Sequence, residues 1–507
     1  MIAAAYVLIA PRSEDLAAHM LRSKLFATEG FGLWNNWWYG GHHVLGYSVL
    51  FPPLAALLTP QLVAATSVPV SAALFESLVR RRFGSDAWLG ALWFAIAAST
   101  NLFTGRLTFA LGLAFALGVA LALQRERPGL AAALSALTAL ASPVDALFAA
   151  LAGAAWAIGV YLNERRIRPA LPGIGVVVAA AVPVLALAIA FPEGGTEPFA
   201  FSALWPIVLI SILFVFAIPR GDAALRIGAA LYALGCLASY AIASPVGSNS
   251  TRLGPLIAGP LIALLWWRRR PLALLAVVPV LLYLQWQAPV RDIRTANDNR
   301  EVTSAYFQPM MTYLSRQPGP PFRLEIPFTL FHWEAYEVAP EFPLARGWER
   351  QLDTRYNALF YDGKLTPARY NAWLHQLAVR YVAVADAELD YSAKQEVALI
   401  NGGLPFLRLV YRTPHWRVYA VRDPTPIVSG PATLDGLGAN WLGLDARAAG
   451  TISIRVRWSP YWAITQGSGC VAPSNGFMKL MLTRPGPVRI AMRFALTRIG
   501  ATSPRCS

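Results

Sequence analysis

A chain of 507 residues that is 56% hydrophobic and only 14% charged, with a mean hydropathy of +0.45, lies far from soluble globular proteins, where about a quarter of residues are charged. This excludes an ordinary water-soluble enzyme and makes the lipid bilayer the expected solvent of much of the chain. The net charge of +15 would suit a nucleic-acid binder, but the arginines cluster in short loops between apolar runs rather than on one amphipathic face, so they read as topology signals.

Apolar runs bounded by charge or by Pro and Gly predict about eleven transmembrane helices, near residues 1–10, 60–79, 86–103, 107–123, 128–141, 144–162, 171–191, 200–218, 223–243, 253–267 and 271–288. The first is too short for a bilayer that needs about 20 residues. It lacks the charged start and cleavage site of a signal peptide, so the true start is expected upstream or the first helix is truncated. Alternating direction along this series places Arg80–Arg82, Arg125 and Arg127, Arg165, Arg166 and Arg168, Arg220, and Arg268–Arg270 on one side, which the positive-inside rule makes cytoplasmic. The acidic and aromatic loops then lie outside, as does the tail from Ala288. Alternating stretches at 380–385, 416–421, 451–458 and 488–494 predict strands in that tail, with helices near 302–316 and 367–379. The expected organisation is an α-helical polytopic membrane bundle over 1–288 with a first outer loop at 11–59. An extracytoplasmic α/β domain follows over 289–423, then a β-rich, sandwich-like domain over 424–507. Cys236 lies in an apolar run; Cys470 and Cys506 have no metal-ligand spacing but could pair in an oxidising compartment.

The first outer loop gathers most of the reactive side chains. Glu14 and Asp15 stand at the outer end of the first run, and His19 follows four residues after Asp15, on the same face if helical. A carboxylate at a membrane boundary can act as a general base once partial desolvation raises its pKa; the plainer reading is that both acids favour a helix N-terminus. Trp34, Trp37, Trp38 and Tyr39 suit either an interfacial aromatic belt or a sugar-stacking platform. His42 and His43 with His19 could hold a divalent metal, but without a companion acid they are better hydrogen-bonding or substrate-contacting groups, and no cofactor is firmly implied.

Acid pair and His, a Gly/Trp stretch, Gly40-Gly41, then Tyr47 ahead of Pro52-Pro53-Leu54 resembles the first outer loop of GT-C superfamily membrane glycosyltransferases. It is particularly similar to a bacterial branch of 6-pyruvoyl-tetrahydropterin-synthase-related membrane proteins. Asn101-Leu-Phe-Thr-Gly-Arg106 and Ala141-Ser-Pro-Val-Asp145 resemble the same branch, over roughly residues 12–290. The resemblance implies a sugar donor on polyprenyl phosphate, an envelope glycan or lipid acceptor, and a first-loop acid acting on the acceptor hydroxyl. By position that acid is Asp15, with Glu14 second and His19 the further catalytic candidate; Asp145, at an expected outer helix N-terminus facing the same side, is a third acidic candidate. Arg106 and Arg252 could hold phosphate bidentately, or could be interfacial arginines that snorkel. Asn101, Asp145, His42, His43, Trp37, Trp38 and Tyr47 complete the expected substrate contacts.

In the tail, His332, Trp333, Glu334, Arg346, Trp348 and Glu349 form a dense polar and aromatic stretch, suited either to carbohydrate recognition or to contact with the bundle. His332 and Glu334 would point to opposite sides of an extended segment, against a local catalytic pair. Neither a nucleotide-binding glycine signature nor a nucleophile elbow occurs, which suits a lipid-linked donor. The competing expectation is a non-enzymatic transporter or scaffold for envelope polysaccharide. Such a protein should carry mid-bilayer charges and broken helices in related halves, and the chain has no repeat.

Overall fold

A computed structural model describes residues 1–296 and 299–507, which form two compact units. The first comprises Met1–His19, Gly46–Ala188 and Gly194–Asn297; the second comprises Met20–Leu45, Ile189–Glu193 and Asp298–Ser507. Most of the first outer loop thus belongs to the second unit.

In the first unit all eleven apolar runs are helical, among them Ile2–Ile9, Pro60–Phe83, Leu107–Gln124, Pro143–Glu164, Ala223–Ala241, Leu253–Trp266 and Pro271–Ala296. Among the described residues six segments are long and apolar enough to cross a membrane: Pro60–Phe103, Leu107–Gln124, Pro143–Glu164, Arg168–Ala190, Ala223–Ala241 and Pro271–Ala296; Pro128–Ala141 and Phe201–Ala217 are shorter. Local sequence sets the helix starts. Thr59 and Ser142 accept hydrogen bonds from Leu62 N and Asp145 N, each followed by proline at the first helical position, where no backbone donor is lost. Glycines allow close packing: a Cβ on Gly153 would stand 2.7 Å from Gly173 O.

Polar groups collect at the two ends of the Leu107–Gln124 helix. Its 18 residues span about 27 Å, close to the thickness of a bilayer core. Gln124 O accepts from Arg81 at one end, and Arg106 precedes the other.

The second unit opens on most of the Leu16–Glu29 helix, followed by a small hairpin, Trp34–Asn35 against His42–His43. Tyr39 (φ 60°), Gly40 (φ 74°) and Gly41 (φ 111°) make its turn, and a side chain on Gly41 would run into the Trp34 indole. A four-stranded mixed sheet follows in the order Arg323–Glu325, Val379–Ala385, Trp416–Val421, Leu407–Arg412, with the first pair parallel. Helices Ser304–Ser315, Pro367–Gln376 and Lys394–Asn401 accompany it, and Tyr370, Trp373, Leu374, Val382 and Val384 share one apolar core. From Val428 the chain forms antiparallel sheets of five and four strands in which alternate residues are buried, as in Gly450–Arg457 and Gly486–Met492. Cys470 lies opposite Cys506 in strand register and is disulfide-bonded to it.

Candidate functional site

The Arg106 end of the first unit brings together groups that lie far apart in sequence. Gly105 has a φ of 72°, and a Cβ there would stand 2.7 Å from Ser13 Oγ and 2.8 Å from Leu16 N. The missing side chain therefore seats the Asn101–Arg106 turn directly on the segment that carries Glu14 and Asp15. Burial and the neighbouring Arg252 guanidinium pull Arg106 down to about 10, against the opposing charges of Asp15, Asp292 and Glu14. Arg106 is still a cation at neutral pH, with carboxylates on Asp15, Asp292 and Glu14 and a second guanidinium on Arg252 acting on it. Arg252 lies over the Phe109 ring at 5.6 Å, and its charge also reaches Asp145. Asp145 is 1% exposed, and one carboxylate oxygen faces Gly112, where a Cβ would stand 2.5 Å from it.

Glu14, Asp15, Arg106 and Arg252 are thus neighbours electrostatically, with Asp145 beside Arg252. Asp15 directly precedes the Leu16–Glu29 helix, the position that favours an acid. His19 packs on Tyr47 and Phe51, with ring centroids 5.7 and 5.3 Å away. Asn101 donates to Ala98 O of its own turn. Asp292 was not foreseen: the Pro271–Ala296 helix runs past the apolar stretch that ends near 288 and carries this acid toward Arg106. An acid embedded in Arg291-Asp-Ile-Arg294, directly after an apolar run, was the available signal.

The remaining expected residues lie in the second unit, mostly inside it. Trp38 is fully buried, donates from Nε1 to Ala335 O at 3.1 Å and stacks on His42, leaving no open face for a sugar. Trp37 is also buried, and its carbonyl accepts from Leu344 N. His42 Nδ1 donates to His43 O and its Nε2 lies 3.2 Å from Asn35 Nδ2, while burial lowers the ring to about 4. Both ring nitrogens are engaged. Among the described residues no three His, Cys, Asp or Glu side chains are grouped to hold a metal ion.

His43 occupies a row of three groups from three segments: its Nε2 is 3.0 Å from Ser459 Oγ, and its Nδ1 is 2.8 Å from Glu193 Oε1. Tyr356 also donates to Glu193, at 2.5 Å. Burial tends to raise Glu193, but bonding to His43 outweighs it and brings the carboxyl down to about 2. A nucleophilic relay orders its residues this way, yet Ser459 is fully buried, and the row acts as a clamp on the loop.

His332 and Glu334 depart from the expected extended geometry. The positive φ of His332 (55°) and the helical turn at Glu334 bring Nδ1 to 3.7 Å from Glu334 Oε1. Trp333 is 2% exposed, and Trp348 stacks on His332 at 3.5 Å. Around them runs a buried charge network. Arg346 donates to Asp353 at 2.6 Å and to Ser392 at 2.9 Å, lies 3.4 Å from Glu396, and sits between the rings of Phe328 and Phe360. Arg350 grips Asp390 with two bonds of 2.6 and 3.1 Å. Burial lifts Glu334 and Glu396 to about 7 and holds His332 well below its ordinary value. Burial acts to raise Asp390 too, but its partners keep it low; since His332 is uncharged at neutral pH, Arg350 carries that effect. Glu349 is paired with Arg22 at 2.5 Å. These residues therefore build the interior of the unit rather than an open binding face, and Asp390 and Glu396 were not legible as members because their partners Arg350 and Arg346 stand 40 and 50 residues away.

No protein-family model matches the chain, and no curated protein matches it.

Proposed function

We propose that the chain is an integral membrane glycosyltransferase that moves a sugar from a polyprenyl-phosphate donor to an envelope glycan or lipid on the outer face of a bacterial inner membrane. The observation that carries this reading is the seating of Arg106 among Arg252, Asp15, Asp292 and Glu14, at one end of a helix about as long as a bilayer core is thick. Two arginines beside carboxylates at the lipid boundary suit a reaction in which a hydroxyl loses a proton while a phosphate departs. Asp15 takes the acceptor proton as the hydroxyl oxygen bonds to the anomeric carbon. The bond from that carbon to the phosphate oxygen breaks, and Arg106 and Arg252 stabilise the charge that the lipid phosphate carries away. The Cys470–Cys506 disulfide supports an oxidising compartment for the second unit, and the arginine-rich turns support the cytoplasm for the end of the first unit away from Arg106.

The test is transfer from a polyprenyl-phosphate sugar in membranes. Asp15→Asn is expected to cut the rate by about 10²–10⁴-fold and Arg106→Met by about 10²–10³-fold, at unchanged expression and melting temperature. Unchanged transfer in Asp15→Asn would remove the base assignment. Loss of glycolipid translocation without any transfer activity in the parent protein would favour the transporter reading.

A further inference from the structure

At the end of the first unit away from Arg106, a cavity of about 350 Å³ opens between three arginine-bearing turns. Arg82, Phe83 and Asp86 line it from one turn, Pro219, Gly221 and Asp222 from a second, and Leu264, Leu265, Trp267, Arg268 and Arg269 from the third. That volume falls within the range of ligand pockets, about 300–1,000 Å³. Two of its three guanidiniums are already neutralised: Arg82 pairs with the buried Asp222, and Arg268 with Asp86 at 2.9 Å. Arg269 has no carboxylate partner among the described residues, so the cavity carries one uncompensated positive charge. Phe83, Leu264, Leu265 and Trp267 supply an apolar wall, and Trp267 meets Trp88 edge to face at 5.5 Å. Cationic rim, apolar wall and paired tryptophans at the end of an apolar helix bundle match a molecule with an anionic head and hydrocarbon tails.

We propose that this cavity binds the phosphodiester headgroup of an anionic phospholipid from the surrounding leaflet, with Arg268 and Arg269 on the phosphate and the wall at Phe83 and Leu264 against the glycerol and upper acyl chains. The site is independent of sugar transfer and needs only that this end of the bundle meets a membrane surface. The same phosphate chemistry could come from a soluble ion, and the experiment separates the two sources.

Full-length protein is placed in nanodiscs of phosphatidylcholine with or without phosphatidylglycerol, and retained lipid is counted by native mass spectrometry. The parent protein is expected to keep phosphatidylglycerol in preference to phosphatidylcholine. Arg269→Ala is expected to weaken that preference about fivefold, and Arg268→Ala with Arg269→Ala to abolish it. Gly221→Trp keeps every charge and adds bulk at the cavity lining, where a Cβ meets nothing within 4 Å; at an unchanged melting temperature it is expected to lose the lipid as well. Arg165→Ala with Arg166→Ala removes exposed charge elsewhere in the arginine loops and is expected to leave retention unchanged. Equal loss in that control would reduce the effect to diffuse surface charge and overturn the site. Displacement of the lipid by millimolar inorganic phosphate, or retention in Gly221→Trp, would overturn it too.

Discussion

Gly105 is the residue on which the arrangement around Arg106 most directly turns. Its φ of 72° is costly for any side chain, and a Cβ would press on Ser13 Oγ and Leu16 N. Gly105→Ala is expected to cost about 1–3 kcal/mol, seen as a lower apparent Tm in detergent, and to reduce transfer beyond the loss of folded protein because Arg106 is displaced from Asp15. Glu334 offers a second residue-scale test. Burial holds it near 7 in the folded chain, whereas it titrates near 4.5 when unfolded, so the unfolded state gives up its proton first as pH rises. Stability from the protonated carboxyl is therefore full below about pH 4.5 and is lost up to about pH 7. Glu334→Gln does not titrate. Measured against it, the parent should lose about 3 kcal/mol across that window, read as a falling difference in apparent Tm; a constant difference would mean that Glu334 titrates alike in the folded and unfolded chain.

At the scale of elements, much was legible from hydropathy and period. Each of the eleven apolar runs is a helix, and the alternating stretches at 380–385, 416–421, 451–458 and 488–494 fall on strands, because these periods are local and burial follows them. What failed was local geometry at turns. An extended backbone through His332-Trp-Glu334 would turn the two side chains apart; the positive φ of His332 instead leaves them 3.7 Å from each other, with the Glu334 carboxylate bonded to Thr329. The pairing of Cys470 with Cys506 had been open between two free thiols and a bridge; strand register sets them opposite each other, 36 residues apart. Closing a loop of that length is worth about 3–4 kcal/mol in the unfolded chain. Replacing both cysteines by serine is expected to lower the melting transition of the second unit by roughly 10 °C, and reductant should have the same effect on the parent but none on the double variant.

For the whole molecule, the division of the first outer loop between two units could not have been read locally. Trp38 and His43 are tied to Ala335 and Ser459, some three and four hundred residues away, by a carbonyl and a hydroxyl that carry no sequence signature. The grouping of three of the arginine-bearing turns, in contrast, was legible. The turns bearing Arg82, Asp222 and Arg269 line one cavity, as their expected placement on a single side requires. Sidedness itself can then be tested directly. In a background with Cys236, Cys470 and Cys506 replaced by serine, a single cysteine at Arg220 or at Asp435 is exposed to a membrane-impermeant maleimide in intact spheroplasts. Asp435→Cys is expected to label at once, and Arg220→Cys only after permeabilisation. The positive-inside rule requires the second result, and an oxidising surrounding for the strand-rich domain requires the first. Labelling of both positions on the same side would break the link between arginine turns and topology, and with it the placement of Asp15 and Arg106 on the face where a lipid-linked sugar would be presented.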